Sequence, residues 1–140
     1  MKKYVWVLIP LLILMTMACA KRVQAPIPGQ ISSFDGYAYR TIYDMQATLN
    51  GAKAWETCSD QKYPASVTFD GKTFTCSDYK GQFPANVRST LYKAEQSYNV
   101  AQDGWKTYHS GASNDTAGLQ QAINALVADV TSLVAQTGGK

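Results

Sequence analysis

Apolar residues recur at alternating spacings of four and three along the first part of the folded segment. They are Ala38, Ile42, Met45, Leu49 and Ala52. This spacing places the five side chains on one face of a helix. Ser32 and Asp35 stand just before the pattern with the spacing of a capping box, with Asp in place of the usual Glu. The first helix is therefore predicted to begin near Ser32 or Ser33.

Two further segments carry longer apolar stripes. In the second predicted helix, apolar residues keep a regular alternation of four and three, at Val87, Leu91, Ala94, Tyr98, Ala101, Trp105 and Tyr108. Pro84 precedes it and suits the first position of a helix. The third has a broad apolar face, at Leu119, Ala122, Ile123, Leu126, Val127, Val130, Leu133 and Val134. Gly138 and Gly139 follow and are predicted to end that helix.

The segment 58–83 interrupts the helical period. It contains "SVTFDGKTFTC", in which Asp70-Gly71 lies between two β-prone runs. An Asp-Gly pair in this setting is a strong signal for a two-residue β-hairpin turn. Pairing across the turn places Thr68 opposite Thr73.

Three cysteines are present, and two of them are expected to form a disulfide. Cys19 lies in the N-terminal segment treated below, which leaves Cys58 and Cys76 as an even pair. In an oxidising compartment such a pair forms a bond, here closing a loop of about 19 residues and stabilising the fold by about 3 kcal/mol. CxxC spacing and a nearby His are both absent, which argues against a redox or metal site.

These elements together predict a mainly α fold. The simplest packing is an antiparallel three-helix bundle with a disulfide-pinned β-hairpin insertion between helices 1 and 2. The helical domain covers 34–137, with the insertion at 58–83. The alternative is a two-helix hairpin whose first helix is swapped into a partner molecule.

Residues 1–20 have the layout of an export signal. Lys2 and Lys3 are followed by an uncharged apolar run from Val5 to Met17 and then by small residues. A permanent membrane span needs about 20 apolar residues, whereas this run is shorter and contains Pro10. We therefore expect a cleaved signal peptide, with an uncleaved span as the alternative.

Two cleavage sites fit the end of this signal. A general signal peptidase would cut after Ala20. Thr16-Met17-Ala18-Cys19 also resembles the lipobox of bacterial lipoproteins, with Thr16 where Leu is usual. That resemblance implies cleavage before Cys19 and lipidation of its sulfur, so that the membrane is a partner through a lipid anchor. Residues 21–33, with Pro26 and Pro28, then form a flexible tether.

Charge and motifs exclude several classes of function. Without Lys2 and Lys3, eleven basic residues face ten acidic ones, so no basic stripe for nucleic acid remains. The motifs GxSxG, HExxH, GxGxxG and the Walker loop are absent. His109, the only His, ends the second helix, where the helix dipole favours a cation, and a catalytic role is the alternative. We predict no catalytic residue, metal or cofactor.

Tyr39 and Tyr43 lie off the apolar seam of the first helix. Tyr is enriched at binding surfaces, so the pair is a possible partner surface for an envelope protein, a glycan or the peptidoglycan of the cell wall. The alternative is that both side chains support the hairpin insertion.

The mature part resembles the small helical lipoproteins of unknown function found in bacterial envelopes, in its lipobox-like signal and helical layout alone. We predict a non-enzymatic cell-envelope lipoprotein that acts as a structural or protein/cell-wall interaction module, because the lone His109, the dispersed carboxylates and the paired cysteines leave few catalytic groups. It would be exported and membrane-anchored, on the periplasmic or outer-membrane face. The alternatives are a secreted soluble hydrolase or hydrolase inhibitor, and an uncleaved single-span subunit of a membrane complex.

Overall fold

The computed structural model describes residues 32–138, and these residues form three α-helices and one two-stranded sheet. The elements are α1 (Ser33–Asp60), β1 (Ser66–Phe69), β2 (Lys72–Thr75), a short 3₁₀ helix (Cys76–Asp78), α2 (Ala85–His109) and α3 (Thr116–Thr137). The prediction of a mainly helical chain with a hairpin between its first two helices is confirmed.

The first helix begins as predicted but ends later than expected. The Ser32 hydroxyl caps it by accepting a hydrogen bond from the Asp35 backbone N–H at 3.0 Å. Ser33 is the first helical residue, which agrees with the predicted start and takes the last residue assigned to the tether into the helix. The helix continues to Asp60, so Cys58 lies on α1 itself rather than at the start of the insertion.

The start of α2 also differs by one residue from the prediction. Pro84 is the N-cap, with extended backbone angles, and the helix begins at Ala85. Phe83, just before it, is buried in the core. Its backbone N–H donates to the Ser59 hydroxyl of α1 at 2.9 Å, which fixes the connection to the insertion against the first helix.

The apolar stripes of the three helices meet in one core. α1, α2 and α3 each contact the other two. The buried residues that the periodicity predicts are Ala38, Ile42, Leu49, Val87, Leu91, Ala94, Ala101, Tyr108, Leu119, Ile123, Leu126, Val130 and Leu133. Burial of these side chains supplies the main favourable contribution to folding.

Polar pairs show which helix ends lie together. Asp35, at the start of α1, pairs with His109 at the end of α2. Asp60, at the end of α1, pairs with Arg88 near the start of α2. Between α2 and α3, Thr90 pairs with Gln136 and Ser97 pairs with Asp129.

The hairpin has the predicted register. Thr68 lies opposite Thr73, and Val67 opposite Phe74. Asp70 and Gly71 have φ angles of 47° and 75°, the left-handed region that a two-residue turn of this kind requires.

The Cys58–Cys76 disulfide is present, as predicted, with Cα atoms 5.5 Å apart. It joins α1 to the residue that follows β2, and both cysteines are fully buried. The hairpin is therefore tied covalently to the first helix at its far strand.

The predicted signal at 1–20, Cys19 and most of the predicted tether lie outside the described residues. Among residues 32–138, no helix has the length and hydropathy needed to cross a bilayer.

Candidate functional site

A buried carboxylate lies at the start of α1. Asp35 is 4% exposed. Its Oδ1 accepts a hydrogen bond from Trp105 Nε1 at 2.7 Å, and its Oδ2 lies 2.8 Å from His109 Nδ1. Burial of a carboxylate is costly unless hydrogen bonds satisfy it, and these two contacts do so. They also fix the orientation of two rings that stand one turn apart on α2.

Four aromatic rings continue from this carboxylate to the protein surface. The Trp105 ring stacks on His109, with centroids 5.0 Å apart, and lies 5.3 Å from the Tyr39 ring of α1. Tyr43 stacks on Tyr39 at 6.1 Å. Tyr39 and Tyr43 are 50% and 60% exposed. We call Tyr39, Tyr43, Trp105 and His109 the aromatic surface.

A pocket opens on this surface. It has a volume of about 240 Å³ and is lined by Asp35, Gly36, Tyr39, Trp105 and His109. The side chain of His109 is 41% exposed, so its imidazole remains accessible there. The pocket thus combines apolar ring faces with one buried carboxylate.

His109 lies where the sequence placed it, at the last position of α2. Its contact with Asp35 was not predicted, because Asp35 was interpreted only as part of the cap of α1. In the structure the backbone N–H of Asp35 donates to the Ser32 hydroxyl of the cap, whereas its side chain contacts His109 of α2. One signal was present: Asp35 stands three residues before Ala38, on the helix face that the apolar pattern marks as buried.

The Asp35–His109 contact orients an imidazole in the way that a hydrolase triad does. In such a triad a carboxylate binds Nδ1 and leaves Nε2 free to act on a nucleophile. Among residues 32–138, however, no hydroxyl or thiol forms a hydrogen bond with His109, and Cys58 and Cys76 are joined to each other. The described part of the chain also contains no group of three or more His, Cys, Asp or Glu side chains that could hold a metal ion.

A second concavity lies between the hairpin turn, α1 and α2. Its volume is about 300 Å³. We call it the polar groove, and its lining residues are Gln46, Leu49, Asn50, Lys53, Asp70, Glu95, Tyr98, Asn99 and Gln102.

Hydrogen bonds order the side chains of the polar groove. Asp70 Oδ2 accepts from Gln46 Nε2 at 2.9 Å and from Asn50 Nδ2 at 3.0 Å, which fastens the hairpin turn to α1. On the opposite wall, Gln102 Nε2 donates to the Tyr98 hydroxyl at 2.8 Å. Burial raises the pKa of Tyr98, and the negative charge of Asp70 raises it further. The Tyr98 hydroxyl therefore keeps its proton at neutral pH.

The hairpin rests on α1 beyond the two tyrosines of the aromatic surface. Asp70 reaches Gln46 and Asn50, and Lys53 Nζ lies 5.5 Å from the centre of the Phe69 ring. Tyr39, in contrast, contacts Trp105 of α2.

The aromatic surface and the polar groove follow one another along the same two helices. Both stripes repeat at spacings of four, three and four, which keeps side chains on one helix face. The residues are Tyr39, Tyr43, Gln46 and Asn50 on α1, and Tyr98, Gln102, Trp105 and His109 on α2. We call this combined region the α1–α2 face. Sequence reasoning identified Tyr39 and Tyr43 as a possible partner surface and singled out His109. It assigned Tyr98 and Trp105, however, to the apolar stripe of the second helix. The amides were missed, because they carry no periodic signal by themselves.

Comparison with known proteins adds no relative. The chain matches no protein-family model, no curated protein and no solved structure.

Proposed function

We propose that this chain is a non-enzymatic interaction module of the bacterial envelope, which binds an envelope protein or the cell wall through the aromatic surface. The observation that carries the proposal is the Asp35 clamp. One buried carboxylate fixes Trp105 and His109, and Tyr39 and Tyr43 stack outward from them while remaining half-exposed.

Fixed aromatic rings favour binding for an energetic reason. Association is opposed by the ordering of side chains at the interface, and a ring already held in place has less freedom to lose. Large aromatic side chains also supply most of the binding energy at typical interfaces. A surface with these properties is suited to recognition. Among residues 32–138, no hydroxyl or thiol is hydrogen-bonded to the His109 imidazole, which is the contact that an activated nucleophile would make.

The proposed location follows from the N-terminal segment. Cleavage before Cys19 and lipidation of its sulfur would anchor the chain, and residues 21–31 would hold the folded part away from the bilayer. The Cys58–Cys76 disulfide supports export, because such bonds persist in oxidising compartments.

The proposed arrangement of the helices is an antiparallel three-helix bundle. The pairs Asp35–His109 and Asp60–Arg88 support opposite directions for α1 and α2. Pairing of Thr90 with Gln136 supports the same relation between α2 and α3.

Site-specific photo-cross-linking in intact cells tests the binding proposal. A photoreactive amino acid replaces Tyr43 in the full chain, and the same replacement at Tyr92 serves as the matched control. Tyr92 is a tyrosine of similar exposure, at 51%, on a part of α2 that lies outside the α1–α2 face.

We expect a discrete adduct of higher mass from position 43 and none from position 92. Adducts of equal yield from both positions, or no adduct from position 43, would contradict the proposal. Mass spectrometry of the adduct then distinguishes a protein partner from a wall fragment.

A hydrolase is the second candidate, and the Asp35–His109 contact is the observation that favours it. It requires a nucleophile supplied from outside the described residues or by a bound water. The test is hydrolysis of ester, amide and glycoside substrates by the wild type and by His109→Ala. Turnover that is lost in a His109→Ala protein with unchanged helical content would replace the binding proposal with an enzymatic one.

A further inference from the structure

We infer that the polar groove binds a sugar ring of a neutral glycan strand, which continues over the aromatic surface. This inference rests on the proposed function, since it names the ligand class for the same α1–α2 face. The inference adds the groove as a binding site, the residues that form hydrogen bonds with the ligand and the direction in which the ligand lies.

The groove offers donors and acceptors in the mixture that sugar hydroxyls need. Each hydroxyl donates one hydrogen bond and accepts up to two. Side-chain amides both donate and accept, and carboxylates accept. Within residues 32–138, Asp70 Oδ1 and the side-chain amide of Asn99 have no protein partner. The Tyr98 hydroxyl accepts from Gln102, so its own proton remains available for donation.

The charges of the groove favour a neutral ligand. Lys53 Nζ pairs with Glu95 Oε1 at 3.0 Å, so the only cation of the lining is already compensated. Asp70 is a second carboxylate of the lining, in addition to Glu95, and it lies next to Gln46 and Asn50, whose amides donate to it. An anion such as a phosphate group would meet two carboxylates and one neutralised ammonium, and it would be repelled.

The size of the groove suits one ring rather than a whole polymer. A volume of about 300 Å³ lies at the small end of the range for small-molecule sites, which is roughly 300–1,000 Å³. Tyr43 and Gln46 are three residues apart on α1, so the groove and the aromatic surface are neighbours on one face of that helix.

The aromatic surface supplies the complementary contact for the rest of the strand. A sugar ring is polar at its rim and apolar on its C–H face, and that face packs well against an aromatic ring. From Tyr39 to Asn50 the α1 stripe extends by about 16 Å, from a helical rise of about 1.5 Å per residue. Such a length accommodates more than one ring, with the first in the groove and the next on Tyr43 and Tyr39.

An NMR titration of the exported full chain carrying Cys19→Ala tests the inference. The probe is chitotetraose, a neutral tetramer of N-acetylglucosamine. Side-chain amide signals of Asn50, Asn99 and Gln102 are expected to shift on titration. Those of Gln120 and Asn124, which bind each other on α3, are the internal control and should not move.

Two variants make the test specific. Asn99→Ala removes an exposed amide of the groove, and Tyr98→Phe removes a single hydroxyl. Each is expected to weaken binding about tenfold, the equivalent of one lost hydrogen bond in a solvent-accessible site. Asn124→Ala, an exposed Asn on α3, is the matched control and should bind as the wild type does.

Outcomes separate this inference from the proposed function. Absence of shifts in the groove amides overturns the glycan inference, and the function stands if position 43 still gives its cross-link. Binding of free N-acetylglucosamine without binding of the tetramer or of isolated cell wall overturns the strand geometry. Loss of both the shifts and the cross-link overturns both proposals.

Discussion

At the start of α1, one carboxylate sets the positions of two rings on another helix. Asp35 accepts from Trp105 and contacts His109, and it is shielded from water by the side chains that it orients. A buried hydrogen-bonded carboxylate adds little net stability compared with an apolar residue of the same shape, but removal of one partner leaves the other unsatisfied. Asp35 therefore matters most for the geometry of the aromatic surface.

Substitution of Asp35 by Ala should destabilise the fold and loosen the aromatic surface. The Trp105 indole N–H would lose its acceptor, at a cost of about 1–3 kcal/mol in the free energy of unfolding. Urea unfolding measures the loss, and the indole N–H resonance of Trp105 should move. Asp44→Ala, at an exposed position on the same helix, is the control and should change stability by less than about 0.5 kcal/mol. An Asp35→Ala protein as stable as this control would disprove the clamp.

Asp129 on α3 makes stability depend on pH. A hydrogen bond from Ser97 at 2.6 Å, followed by one from Lys93, lowers the pKa of Asp129 below its ordinary value of 3.8. A carboxyl whose pKa is lower in the folded state stabilises the fold above its unfolded pKa. That contribution is lost as the pH falls through the folded pKa, below about 3.8.

We expect Asp129→Asn to be less stable than the wild type by about 1 kcal/mol near neutral pH, and the difference to shrink progressively as the pH falls below 3.8 and Asp129 takes up a proton. Urea unfolding of both proteins at neutral pH and at several acid pH values measures this difference in stability. Glu56 is present in both proteins, so the comparison reports Asp129 alone. Burial raises the pKa of Glu56, so its contribution to stability changes with pH in the opposite direction. A difference between the two proteins that stays constant with pH would contradict this role.

At the scale of the elements, the hairpin depends on the disulfide. A lone two-stranded hairpin is marginally stable in water, and this one is held by the Cys58–Cys76 bond and by the contacts of Asp70 with Gln46 and Asn50. The polar groove requires the hairpin in place, because Asp70 forms one of its walls.

Removal of the bond by the double substitution Cys58→Ala and Cys76→Ala should lower the free energy of unfolding by about 3 kcal/mol, from the entropy of a loop with a sequence separation of 18. Denaturant unfolding with and without reductant measures the effect. The double variant is its own control, since reductant should not change it further. Two free thiols in protein taken directly from the envelope would refute the bond.

The elements were largely predictable from sequence, and the site was not. Asp70-Gly71 determines the hairpin register locally, and alternating spacing identifies which residues of α2 and α3 are buried. In contrast, Asp35 meets Trp105 and His109 across 70 and 74 residues. Such contacts depend on the rotation and offset of packed helices. Periodicity gives the buried face of each helix but not the partner of each polar side chain.

For the whole molecule, the shared core of the three helices determines stability. Leu91 on α2 is completely buried within it. Leu91→Ala should lower the free energy of unfolding by about 2–5 kcal/mol, through lost burial and the cavity left behind. Val100→Ala, 63% exposed on the same helix, should cost less than about 0.5 kcal/mol. Equal midpoints for both variants in thermal unfolding would mean that Leu91 does not belong to the core.

The proposed anchor concerns the whole molecule in its surroundings. Growth of cells with a clickable fatty acid should label the wild type and leave Cys19→Ala unlabelled, because the proposed anchor would be carried by the Cys19 sulfur. Ala18 and Ala20 are unchanged in the variant, so cleavage after Ala20 can still release it. A wild-type protein without label would indicate a soluble secreted form.

The Asp35 clamp also has a mechanical consequence. A pull on the chain ahead of Ser32 acts first on the opening turn of α1, and that turn is bonded to the final turns of α2 through Trp105 and His109. Unwinding of the first turn of α1 would therefore require the Asp35 contacts with Trp105 and His109 to break as well. In a chain anchored through Cys19, as proposed, such a force would load the Asp35 contacts that position the aromatic surface.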